Sequence, residues 1–245
     1  MFLTAALAAA PQTMLTVFAA ASLHAAFPDL GKIFEATHPG VTVRFVFNGS
    51  QALEAQLAQG AHADVFASAD LGWMDKATSD GLVGSSAPFA TNSLVVIASM
   101  NSPVQTAHDL SSPGLRVLLC ADTVPCGRYA RATLQKMEAD RAFGKGFASS
   151  VIHNVVSEEE NVEAVVAKVS LGEADAGIVY RSDVVKVPAQ VRVVTLPTVD
   201  QPSIVYPIAA VKGSASPDVA ADFIAFVRSA AARDILRRAG FAPAP

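Results

Sequence analysis

The chain has 245 residues, 51% of them hydrophobic and 16% charged, with a formal net charge of -4. That gives room for one large domain or two modest ones, each with its own core. It excludes the basic footprint that nucleic acid or an anionic membrane surface requires, so an anionic ligand has to be held by local groups.

Phe2–Ala10 is a short apolar run of small residues before Pro11, and residues 1–13 read as a signal remnant or a disordered N-terminus. No apolar run reaches the roughly 18–20 residues of a membrane span. Leu15–Ala20 predicts a strand, and Leu23–Thr37 an amphipathic helix stopped by His38-Pro39-Gly40. Val41–Phe47 alternates as a strand, Gln51–Gln59 is a helix closed by Gly60, Asp64–Ala67 a short strand and Leu71–Thr78 a helix. Further strands are predicted at Leu94–Ser99, Arg116–Cys120, Ala176–Tyr180 and Val191–Leu196, and helices at Arg128–Met137, Val162–Leu171 and Asp218–Ala239. Strands alternating with helices argue for a parallel α/β sheet. Ser85–Asn92 and Pro197–Pro207 read as loops, and both suit crossing points between two lobes. The predicted division is residues 14–90 plus 206–245 for lobe I and 91–205 for lobe II, with the last helix packed on lobe I.

Motifs of catalysis are missing: there is no G-x-S-x-G elbow, P-loop, dinucleotide fingerprint or H-E-x-x-H. His24, His38, His62, His108 and His153 are scattered, and the run Glu158-Glu159-Glu160 reads as a solvated helix start. Cys120 and Cys126 either bridge a short loop in an oxidising compartment or serve as two small buried hydrophobes. What recurs is a strand running through small residues into a helix, at Phe18–Leu23, Phe47–Gln51, Val124–Arg128 and Glu160–Glu163. Each presents N–H groups at a helix start, where anions bind well. Ser22 and Ser50 add hydroxyl donors, although Ser is also a favoured cap in any helix.

Several segments in order resemble the periplasmic molybdate-binding (ModA) family. They are LTVFAAASL from Leu15, ADVFASAD from Ala63 with Trp73-Met74 after it, NSLVVI from Asn92, VPCGRYA from Val124, GIVY from Gly177 with Ser182-Asp183, and Tyr206-Pro207-Ile208. The resemblance runs from about Leu15 to Phe241. It implies the type II periplasmic binding protein fold, two α/β lobes joined by a hinge with the ligand in the cleft. It also implies a non-enzymatic function: capturing molybdate, or tungstate, and delivering it to the membrane permease of an ABC transporter. The protein would be an exported monomer in the periplasm or cell envelope, with no cofactor, no bare metal ion and no nucleic-acid partner. Ligand residues carried over by position are Ser22 and Ser50 on one lobe, and the Cys126 and Val162 N–H groups and the Tyr180 hydroxyl on the other. Cys126 stands where alanine is common in the family. Arg128 is expected to point outward from its helix, and Glu158, Glu159, Glu160 and Glu163 to face solvent. The alternatives are another oxyanion such as sulfate or phosphate on the same fold, or the effector-sensing domain of a regulator. No basic helix-turn-helix precedes Leu15, which counts against the last.

Overall fold

The computed structural model describes residues 12–187 and 189–244. The Phe2–Ala10 segment lies outside them. The first strand, β1 (Thr13–Ala20), leads through a single 3-10 turn (Ala21–Ala25) to α1 (Phe27–Thr37). The elements β2 (Val41–Asn48), α2 (Ser50–Ala58), β3 (Val65–Ala67), α3 (Leu71–Ser79) and β4 (Ala87–Asn92) follow. Then come β5 (Leu94–Ser99), β6 (Val117–Cys120), α4 (Pro125–Ala139), α5 (Phe147–His153), β7 (Val155–Glu159), α6 (Val162–Ser170), β8 (Ala176–Tyr180) and β9 (Val191–Thr195). The chain closes with β10 (Ile204–Ala210), α7 (Pro217–Val227), α8 (Ala230–Arg238) and β11 (Ala242–Pro243).

The strands form two sheets, ordered β11-β4-β10-β3-β1-β2 and β7-β6-β8-β5-β9. Both are mixed rather than wholly parallel. In the first, β1 runs parallel to β2 and β3, but β10 runs against β3 and β4. In the second, β6 is parallel to β7 and β8, but β5 runs against β8 and β9. In each sheet a reversed strand, β10 or β5, enters from the other sheet. Only Ser93 separates β4 from β5, and the return path lies between Thr195 and Ile204. Gln201 ties the two crossings together: its side chain accepts from Leu94 N at 2.6 Å and donates to the Leu94 and Leu196 carbonyls at 3.1 and 3.3 Å.

Four local expectations are corrected. Ser85–Asn92 and Pro197–Pro207 are not loops throughout, because β4 and β10 occupy much of them. Pro88 and Pro207 face each other where the register shifts, a bulge at which the missing N–H donors are tolerated. Leu23–Thr37 is interrupted at Ala26, and Pro28 sits in the first turn of α1, where its missing N–H does no harm. Asp218–Ala239 is two helices, because the Ser229 hydroxyl accepts from Ala232 N and caps a new one. The glutamate run ends β7 rather than opening a helix, and Glu159 is buried with Lys168 Nζ 2.7 Å away.

Phenylalanines fix the outer face of the first sheet. Phe223 of α7 meets Phe34 edge-on at 5.2 Å between ring centroids and also contacts Phe27 and Phe45, so α7 packs on this sheet. Among the described residues no helix is long and apolar enough to cross a membrane.

The turn between β6 and α4 allows no side chain at Gly127. A Cβ there would lie 2.0 Å from the Ala121 carbonyl oxygen and 2.4 Å from that of Cys120. Gly127→Ala is therefore expected to destabilise by about 3 kcal/mol, the upper end for overpacking, which lowers the melting temperature by roughly 6–12 °C. Calorimetric melting of the two proteins checks this.

Candidate functional site

The two sheets aim their helix starts at one another. β1 runs into the 3-10 turn carrying Ser22, and β2 into α2 at Gly49 and Ser50. From the second sheet, β6 runs into α4 at Cys126, β7 into α6 at Val162, and β8 ends on Tyr180. Ser22, Ser50, Cys126, Val162 and Tyr180 all line one small cavity, together with Ala20, Ala21, Gly49, Ala69, Val124, Pro125 and Asn161. It leaves about 10 Å³ for the centre of a water-sized sphere. That is about the room that one water molecule needs. The starts of α2 and α4 carry no side-chain cap, whereas Asn161 caps α6 by accepting from Ala164 N at 3.0 Å. Uncapped starts leave backbone donors for a ligand.

Hydroxyl polarity is set by neighbours. Asn92 Nδ2 donates to Tyr206 Oη at 3.3 Å and to Ser182 Oγ at 2.9 Å. Tyr206 Oη and Ser22 Oγ lie 2.9 Å apart, and either can donate to the other. When Tyr206 donates, the Ser22 hydrogen is left to point into the cavity. Ser50 Oγ accepts from Ala69 N at 3.0 Å, which leaves its own hydrogen to be donated. The Tyr180 hydroxyl is wholly buried and has no hydrogen-bond partner. Such a group is rare and calls for a ligand or a water. Burial pushes both Tyr180 and Tyr206 well above the usual phenol value, so both remain protonated donors at physiological pH.

Electrostatics around the cavity are nearly neutral. Neither Lys nor Arg lines it. Arg128 does not point outward: it reaches across the cleft to pair with Asp70. Glu158 pairs with Arg131, and Glu163 lies 2.6 Å from His24 of the other lobe. Glu158, Glu160 and Glu163 face solvent as expected, and Glu159 alone is buried. Asp183 accepts from Tyr180 N at 2.9 Å, and burial, opposed by that bond and reinforced by nearby Glu163, pushes its carboxyl up to about 8. A neutral acid there does not repel an anion. Cys120 and Cys126 are joined in a disulfide with Cα atoms 5.9 Å apart, anchoring α4 to the end of β6. No group of three potential metal ligands occurs among the described residues.

Sequence reasoning missed Tyr206, Asn92 and Ala69 as parts of the site. Tyr206 stood in a quoted motif, but nothing in sequence places its hydroxyl beside Ser22, 184 positions away.

Residues 15–242 match the family described as bacterial extracellular solute-binding protein. The chain belongs to this family. As a solute-binding protein it is a carrier rather than an enzyme. It is 43% identical to the molybdate-binding protein ModA of Mycobacterium tuberculosis (strain H37Rv), over 93% of this chain and 84% of that one. It is 34% identical to the molybdate-binding protein ModA of Escherichia coli K12, over 98% of this chain and 93% of that one. Among solved structures it superimposes on the Azotobacter vinelandii periplasmic molybdate-binding protein with a TM-score of 0.81 at 21% identity, over 94% of this chain and all of that one. That likeness is one of fold: the two-lobed α/β architecture of the periplasmic binding proteins.

Asp183 gives this solute-binding protein a pH signature. Below its ordinary value of 3.8 the carboxyl is protonated whether folded or unfolded. Between there and about 8 only the folded protein holds the proton, so stability falls as pH rises across that window. Solvent reaching Asp183 from the adjoining open cleft tempers the effect. Asp183→Asn, which can still accept from Tyr180 N, is expected to flatten the decline in melting temperature between pH 5 and pH 8. Paired thermal melts across that range check it.

Proposed function

We propose that this protein captures molybdate, with tungstate as a second ligand, and hands it to the membrane permease of an ABC transporter. The observation that carries this reading is the buried, partnerless Tyr180 hydroxyl facing the cavity lined by Ser22 and Ser50. The hydroxyls of Ser22, Ser50 and Tyr180 can each donate into that cavity, and none of its lining side chains is cationic. A set of cavity-facing donors without a counter-charge suits a small, fully ionised oxyanion. The 43% and 34% identical relatives are named for molybdate, which supports that choice of oxyanion.

The physics favours such a site. A dianion entering a dry cavity needs its lost hydration replaced. Hydrogen bonds to a charged group contribute roughly 1.5–3 kcal/mol each, so about six of them give on the order of 9–18 kcal/mol before desolvation and closure are subtracted. Tight binding therefore requires no cationic side chain. Neutral donors also leave no stranded counter-charge after release. In this reading Ser22 and Ser50 bind through hydroxyl and backbone groups, Cys126 and Val162 through backbone N–H, and Tyr180 through its hydroxyl. The lobes are residues 14–90 with 206–245 and residues 91–205, moving about the two crossing segments. Since donors come from both, ligand favours the closed arrangement. We place the protein outside the cytoplasm, acting as a monomer, where an oxidising environment maintains the Cys120–Cys126 bridge.

Isothermal titration with molybdate, tungstate and sulfate tests the reading. Molybdate and tungstate are expected to bind tightly and sulfate weakly, because charge and shape match while size differs. Equal or preferred binding of sulfate contradicts it. Tyr180→Phe and Ser50→Ala are each expected to weaken molybdate binding about tenfold to hundredfold, the effect of one lost bond to a charged ligand, without lowering the melting temperature appreciably. Parent-like affinity in both variants removes the site assignment.

A further inference from the structure

Polar contacts cross between the lobes outside the cavity as well as around it. On one rim, Arg128 of α4 pairs with Asp70, which caps α3 by accepting from Trp73 N at 2.9 Å. The guanidinium carbon sits 5.8 Å from the centre of the Trp73 ring. Its nitrogens also pass over Gly72, 3.4 Å from where a Cβ would be, an ordinary van der Waals distance. Trp73 Nε1 in turn donates to the Thr123 carbonyl of the second lobe at 3.0 Å. One short stretch of α3 thus meets the β6–α4 turn by an ion pair, a cation–π contact and a hydrogen bond. That same turn carries Cys126, and Ala69, next to Asp70, lines the cavity.

Asp70 makes this rim more than an adhesive. Its side chain is only 5% exposed, whereas that of Arg128 is 43% exposed. When the lobes part, the Asp70 carboxylate, next to cavity-lining Ala69, loses its cation and is left as a bare negative charge in solvent. On closure Arg128 cancels it. Closure without Arg128 would bury the Asp70 charge unpaired, which is strongly unfavourable, and losses of this kind act chiefly on dissociation.

We propose that Arg128, Asp70 and Trp73 form a closure clasp that sets the rate at which the captured oxyanion is released, Arg128 acting as a positioning residue that neutralises Asp70 only in the closed state. The proposal rests on the oxyanion-binding reading given above. Trp73 is the chain's single tryptophan, so its fluorescence reports on the clasp directly.

The experiment loads the full chain with radiolabelled molybdate and follows its release into excess unlabelled molybdate, with association followed by Trp73 fluorescence in stopped flow. Arg128→Gln is expected to speed release about tenfold while association changes by less than about twofold, as is usual for a broken cross-interface charge pair. It should also diminish the Trp73 signal on loading. Adding Asp70→Asn, which keeps an acceptor for the α3 cap, removes the bare carboxylate, so the double variant should release more slowly than Arg128→Gln alone. Arg128→Lys should recover part of the parent rate. Thermal melts of the ligand-free proteins separate these effects from misfolding. If Arg128→Gln releases at the parent rate, or if adding Asp70→Asn speeds release further, the clasp is wrong. If the parent itself takes up no molybdate, the functional reading fails instead.

Discussion

The hydrogen bond between Tyr206 and Ser22 organises the site. Asn92 donates to the Tyr206 oxygen, which favours the arrangement in which the phenol donates onward to Ser22. Ser22 is thereby left with a hydrogen to offer the cavity. Two of the three residues flank the chain's crossings: Asn92 ends β4 just before the first, and Tyr206 lies in β10 just after the second. The crossing segments thus carry the relay that ends on Ser22. For an anion held without cationic side chains, the polarity of that relay decides between attraction and repulsion.

The fold places this relay where both sheets can use it. β10 and β5 each enter a sheet against the run of their neighbours, so each sheet holds one strand threaded in from the other lobe. Gln201 clamps the two crossings side by side. The helix starts of both lobes then face a common cavity, while contacts such as Arg128–Asp70 and Trp73–Thr123 join the rims. In the proposed function, ligand donors and rim contacts come into register only in the closed arrangement, which would couple binding to a change of shape that a membrane partner can read.

Much of this was legible in the sequence, for local reasons. A strand followed by small residues and a helix is a short-range pattern that marked Ser22, Ser50 and the junctions holding Cys126 and Val162, while the family resemblance singled out Cys126, Val162 and Tyr180. Prolines misled where they sat at a bulge: Pro88 and Pro207 suggested loops, yet each occupies a position that needs no donor. Long-range pairings were out of reach. Nothing in the sequence indicates that Arg128 turns toward Asp70, that Lys168 draws Glu159 inward, or that Tyr206 meets Ser22. Those pairings depend on how the two sheets are threaded, which periodicity does not encode.

The most direct test is where the ligand sits. Crystals grown with molybdate and measured at the molybdenum absorption edge give an anomalous peak that locates the metal independently of any fitted model. The account predicts a single strong peak between Ser22, Ser50 and Tyr180, with the Tyr180 hydroxyl in hydrogen-bond reach of an oxygen on that centre. A peak elsewhere, or a Tyr180 hydroxyl still without a partner in a loaded crystal, contradicts it.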